Sequence, residues 1–199
     1  KITPDNRETL RFATRMKNNS GFIFMTNFQD HDTARIDQTG LQFKLNLKNE
    51  SIMIPASKTF TLKKDESVIL PFNLNMNGAL LKYATAQLLT KIDDNGKSHY
   101  FFFAPNGIEP EFVFDKATLK SGKFVVTPVA GYKSTFSVTA KSGEKILITT
   151  LTREQALQTA KVDGHILITD ATVLPEKGKC TLLSLGRSEE RRVGKECLR

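Results

Sequence analysis

Residues 71–115 read PFNLNMNGALLKYATAQLLTKIDDNGKSHYFFFAPNGIEPEFVFD, and this stretch decides the fold. Short apolar alternations are punctuated by turn residues, the period-two signature of half-buried strands. Its centre predicts a hairpin. Leu81 to Ile92 is apolar and β-prone at its far end, Asp93-Asp94-Asn95-Gly96 turns the chain, and Lys97 to Ala104 returns. An Asn-Gly pair supplies the positive φ angles that tight hairpin turns require, so Asp93 and Asp94 read as turn formers. Pro71 suggests a sheet edge or a strand end, because it has no N–H for a ladder.

The same pattern extends outward on both sides. Toward the N-terminus, Gly21 to Phe28 is dense enough to predict a strand buried on both faces. Leu41, Phe43, Leu45 and Leu47 alternate with polar residues, Ile52 to Ile54 stops at Pro55, and Phe60 to Leu62 stops at Lys63-Lys64-Asp65-Glu66. Toward the C-terminus, Glu111 to Phe114, Lys123 to Val126, Thr135 to Ala140, Lys145 to Thr150 and His165 to Thr169 continue it. Strands at this spacing with polar turns predict a mainly all-β, antiparallel, jelly-roll-like sandwich. One short helix is expected near 152–161, where Thr152 and Gln155 form a capping box ahead of Ala156, Leu157 and Ala160. The organisation expected is a connector over 1–20, a β-sandwich over 21–115, a second β unit or its continuation over 116–186, and a tail over 187–199.

That tail reads as foreign. RSEERRVGKEC, Arg187 to Cys197, translates the opening of a common short-read sequencing adapter, so the tail is expected to contribute nothing to the fold. The 199 residues carry a formal charge of +8, and residues 1–186 keep +6 of it. The lysines are scattered singly and no basic stripe is interleaved with aromatics, which argues against a nucleic-acid partner. No apolar run is long enough for a membrane helix. Apart from Cys197, Cys180 stands alone, so no disulfide framework or metal-ligand spacing is present.

Several segments together resemble a known family. Gly21-Phe22-Ile23-Phe24-Met25-Thr26-Asn27-Phe28-Gln29-Asp30-His31 is followed by Pro71 to Leu74 and by Leu81 to Gln87. Tyr100 to Phe103, Gly107 to Phe112 and Leu151 to Ala160 complete the series. In this order they resemble the β-sandwich region that follows the catalytic barrel in bacterial β-galactosidases of glycoside hydrolase family 35. The resemblance implies a parent enzyme that cleaves terminal β-galactosides with retention, using two barrel glutamates whose carboxyls lie roughly 5–5.5 Å apart. Those glutamates would precede Lys1, so no catalytic residue is assigned here. It implies an accessory piece that braces a missing upstream barrel and borders its cleft. A galactoside or plant polysaccharide oligosaccharide would be the parent's substrate, in a periplasmic or extracellular setting, with a homo-oligomer of the parent as a further expectation. The alternative is a stand-alone carbohydrate-binding or cell-surface sandwich.

Candidate site residues are few. Asn27, Gln29 and His31, at the end of the first dense strand, are the candidates for facing a sugar. Glu109 and Glu111 flank Pro110 and would share a strand face, yet they read as solvated carboxylates, the ordinary state of surface acids. His99 reads as a cross-strand surface residue and His165 as a turn residue. No metal site, phosphate-binding glycine loop or cofactor is expected.

Overall fold

Two-residue turns with left-handed backbone organise the chain. Asn18-Asn19, Asn77-Gly78 and Asp163-Gly164 all have positive φ and each closes a hairpin, as type I′ turns require. The structure, a computed structural model, describes residues 9–28, 36–94, 97–176 and 179–184. Its strands are β1 (Arg11–Lys17), β2 (Ser20–Thr26), β3 (Gln38–Leu41), β4 (Phe43–Asn46), β5 (Ser51–Ile54), β6 (Phe60–Leu62), β7 (Ser67–Met76), β8 (Ala79–Ala84), β9 (Gln87–Asp94) and β10 (Lys97–Phe103). After these come β11 (Phe112–Phe114), β12 (Leu119–Ser121), β13 (Val125–Val126), β14 (Thr135–Ala140), β15 (Lys145–Leu151), the helix α1 (Arg153–Leu157), β16 (Thr159–Val162), β17 (His165–Ile168), β18 (Thr172–Glu176) and β19 (Lys179–Leu183).

The expected sandwich is present. A first sheet runs β1-β2-β7-β8-β11-β13 and a second runs β12-β14-β15-β10-β9. Between them lies a core built around Leu81, Phe102, Phe112, Ile146 and Ile148. Phe112 stands edge-on to both Phe102 and Phe136, with centroids 5.0 and 5.3 Å away, an arrangement that aromatic quadrupoles favour. Pairing crosses the stretch 116–121: β9 and β10 share the second sheet with β12, β14 and β15. Within 1–20, Arg11–Lys17 forms β1 at the margin of the first sheet.

A second core lies beneath the first half of β7. Ile23, Met25, Ile54, Leu62, Val68, Leu70, Phe72 and Tyr83 form it, covered by the hairpins of β3 to β6. One sheet thereby feeds two cores, and the change of side is local. Asn73, at φ +48°, lies between the ladder pairs Phe72↔Tyr83 and Leu74↔Leu81. On the other side of β8, the register with β11 skips Lys82. Such irregularities re-aim side chains: Phe72 and Tyr83 enter the second core, whereas Leu81 and Phe114 enter the first. Glu50 ties the place together, accepting from Asn73 Nδ2 at 2.7 Å and pairing with Lys82 Nζ through its other oxygen.

Several expectations are corrected. Leu81 to Ile92 is not one continuous strand. The chain leaves the first sheet at Ala84 and enters the second at Gln87. Thr85 holds that crossing: its N–H donates to Glu111 O at 2.9 Å, its hydroxyl donates to Glu109 O at 2.6 Å, and the hydroxyl accepts from Glu111 N at 2.7 Å. Asp93 and Asp94 belong to β9, with pairing beginning at Asp94↔Lys97, and Asn95-Gly96 lie outside the described residues. Pro71 sits inside β7, a central strand. It is tolerated because β8 pairs with β7 only from Phe72 onward, so one side there demands no ladder N–H. β2 buries only one face, since Phe24 is exposed on the other. The sandwich is not wholly antiparallel: β10 and β15 run parallel, from Ser98↔Ile146 to Phe103↔Leu151. The helix is shorter than expected, because Ala160 is drawn into the β16–β17 hairpin. Its capping box is present, with Gln155 N donating to Thr152 Oγ1 and Thr152 N to Gln155 Oε1.

Among the described residues, no helix is long and apolar enough to cross a membrane. Nor does any group of three His, Cys, Asp or Glu have the geometry to hold a metal there. The Arg187–Cys197 stretch lies outside the described residues.

Candidate functional site

Asn27 closes β2 with its side chain turned inward, fully buried. Its amide donates to Ile36 O at 2.9 Å, Lys63 O at 3.1 Å and Leu62 O at 3.2 Å, and its backbone N–H donates to Glu66 O at 2.8 Å. These bonds place Asn27 as a clasp between the end of β2 and the β6–β7 turn. Gln29 and His31 lie outside the described residues.

The two acids around Pro110 part company. They border an open cleft of about 730 Å³ that Gln42, Pro55, Lys58 and Phe60 also line. Glu109 is exposed and meets Lys58 Nζ at 2.9 Å. Glu111 is buried, not solvated: Tyr83 donates its hydroxyl to Glu111 Oε1 at 2.6 Å and accepts from Ala56 N at 2.8 Å. Burial, and then the neighbouring Glu111 carboxylate, raise the Tyr83 hydroxyl above its ordinary pKa of 10, so it stays a donor. The bulge at Lys82 turns Tyr83 toward this spot. Sequence spacing alone puts the two carboxylates on one face; the irregular backbone before β11 gives them different partners.

The histidines have local partners. His99 Nε2 lies 2.7 Å from Thr149 Oγ1 and its ring stacks on Phe101 at 4.1 Å. His165 begins β17 and is exposed, one residue beyond the Asp163-Gly164 turn.

The most distinctive surface is the outer face of the first sheet. Ala13, Phe24 and Ile69 stand in one cross-strand row over β1, β2 and β7. Phe24 and Ile69 are 36% and 42% exposed, unusual for large apolar side chains in adjacent central positions. Arg11, Thr26 and Ser67 form the next row, and a shallow hollow of about 370 Å³ lies over this ground. On the opposite face of β1, Phe12 and Met16 are 58% and 57% exposed, and Phe12 meets Phe43 edge-on at 5.3 Å. Periodicity could locate these residues on a sheet but could not say that one side lacks a cover.

These elements define a two-sheet β-sandwich domain whose first sheet carries a row of exposed apolar side chains on its outer face. Residues 2–172 match the family described as beta-galactosidase, domain 2, and the chain belongs to that family. It is therefore a β-galactosidase-associated domain, as the ordered segments over residues 21–160 resemble. No curated protein matches the chain.

Proposed function

We propose that this chain is the non-catalytic β-sandwich of a β-galactosidase-like glycoside hydrolase, bracing a catalytic barrel encoded before Lys1 and bordering its substrate cleft. The observation that carries the reading is the family match over residues 2–172. The bare row of Phe24 and Ile69 gives it a docking face. The parent would cleave terminal β-galactosides with retention, outside the cytoplasm, through two barrel glutamates. On this reading Asn27 holds the loop at the cleft border, while Gln29 and His31 are the sugar-facing candidates. Of the three tyrosines that a sandwich acting alone on sugar could use for stacking, Tyr83 and Tyr100 are buried and Tyr132 is 48% exposed.

The test joins the chain to its barrel. Phe24→Asp with Ile69→Asp in the joined enzyme should lower kcat/KM on a chromogenic β-galactoside at least tenfold and split the thermal transition in two. Unchanged kinetics and a single transition would refute the bracing role. Turnover by the chain alone, abolished by Glu109→Gln or Glu111→Gln, would refute the non-catalytic one.

A further inference from the structure

A third concavity, of about 370 Å³, opens between the β6–β7 turn, the start of β9 and α1. Its volume lies in the range of small-ligand sites. Apolar surface comes from Leu89, Phe103 and Pro105, with Phe28 at its lip, 54% exposed. Polar groups converge on the same space. Glu66 accepts from Asn106 Nδ2 at 2.7 Å and faces Arg153 at 3.6 Å, both through Oε1, so Oε2 is without a partner among the described residues. Gln87 accepts from Ile69 N through Oε1 at 2.7 Å, which leaves its amide hydrogens as donors. The Glu66 side chain is 13% exposed, whereas Arg153 is 42% exposed and reaches outward.

This combination selects a ligand class. The carboxylate offers only acceptors, the amide nitrogen and guanidinium only donors. Neighbouring hydroxyls on a sugar ring satisfy both, because each donates and accepts. The C–H face of the same ring would lie on Phe28 and the apolar floor. Asp65 and Glu66 together outweigh Arg153, so an anionic sugar would meet net repulsion.

The geometry points to this crevice as a binding site for a neutral pyranoside, with Phe28 as its platform and Glu66, Gln87 and Arg153 as its hydroxyl ligands. The choice of galactose-type sugar rests on the β-galactosidase reading; the crevice itself belongs to this chain alone. Calorimetric and NMR titration of the 199-residue chain with galactose and β-1,4-galactobiose tests it. Saturable binding is expected with a Kd on the order of 1 mM. Phe28→Ala and Arg153→Ala should each weaken it roughly tenfold, a loss of about 1.4 kcal/mol. Phe124→Ala, which removes an exposed ring outside the crevice, should leave it unchanged. Unaltered melting of each variant separates lost binding from lost folding. No saturable signal, binding indifferent to Phe28 and Arg153, or tighter binding of galacturonate would each overturn the assignment. The bracing role is judged separately, by the joined enzyme.

Discussion

The outer faces of the two sheets were built from similar residues and met opposite fates. On the second sheet, Phe101 and Leu151 are sealed under the chain's own β16–β17 hairpin, with Ile166 buried between them and Leu89, Ile92, Phe103 and Ile168 packed around. On the first sheet, the row of Ala13, Phe24 and Ile69 has no such cover among the described residues. An apolar sheet face left in water forfeits about 25 cal/mol for each Å² that a cover would bury. Among the described residues the protein supplies a cover on one side and none on the other. The contrast teaches that similar alternation ends in a sealed face on one sheet and, among the described residues, an uncovered one on the other.

Paired alanine variants put that contrast at most risk. Ile166→Ala should destabilise the isolated chain by about 2–3 kcal/mol, as expected for a buried truncation, whereas Ile69→Ala should stay within about 0.5 kcal/mol. Equal losses by urea denaturation would mean that both faces are covered. The next largest effect should come from Tyr83→Phe, on the first-sheet side. It strips the Glu111 carboxylate and the Ala56 N–H of their shared partner, at a cost of about 1–3 kcal/mol. No measurable loss would show that the Glu111 carboxylate is solvated after all.

Thr152→Ala sharpens the sealed side. It removes the cap of α1, which leads into the covering hairpin, and should cost about 1 kcal/mol. Hydrogen exchange should then rise in β16 and β17 but not in β1 and β2. The smallest effect concerns acid. Glu50 is held below its ordinary pKa of 4.5, chiefly by its hydrogen bond from Lys82 and also by Asn73, against the opposing effect of burial. A carboxylate with a depressed folded-state pKa stabilises above its unfolded value and loses that contribution as pH falls through the folded one. The wild-type chain should therefore lose stability below about pH 4.5, more steeply than Glu50→Gln does. Parallel acid curves for the two would remove Glu50 from the seam.

What was legible follows the range of the interactions. The Thr152-Gln155 cap depends on neighbours within a few residues, so it is legible in the sequence. The same holds for Thr135 to Ala140, whose alternation mirrors one buried face. Three of the misread places involve distant partners. Glu111 is buried by a tyrosine 28 positions away. The run from Leu81 to Ile92 breaks at Thr85 because the backbone around Glu109 and Glu111 captures it. Pro71 fits a central strand only because β8 stops short of it.

By itself the sequence determined that this chain is a β-sandwich of the β-galactosidase domain 2 kind, since alternation, turn residues and ordered family segments are written along one dimension. Only the tertiary structure decided which sheet face is sealed and which is bare, where one sheet switches cores, and that Glu109 and Glu111 answer to different partners. Those outcomes depend on which strands lie beside one another in space, and period-two patterning is the same for a covered face and an open one.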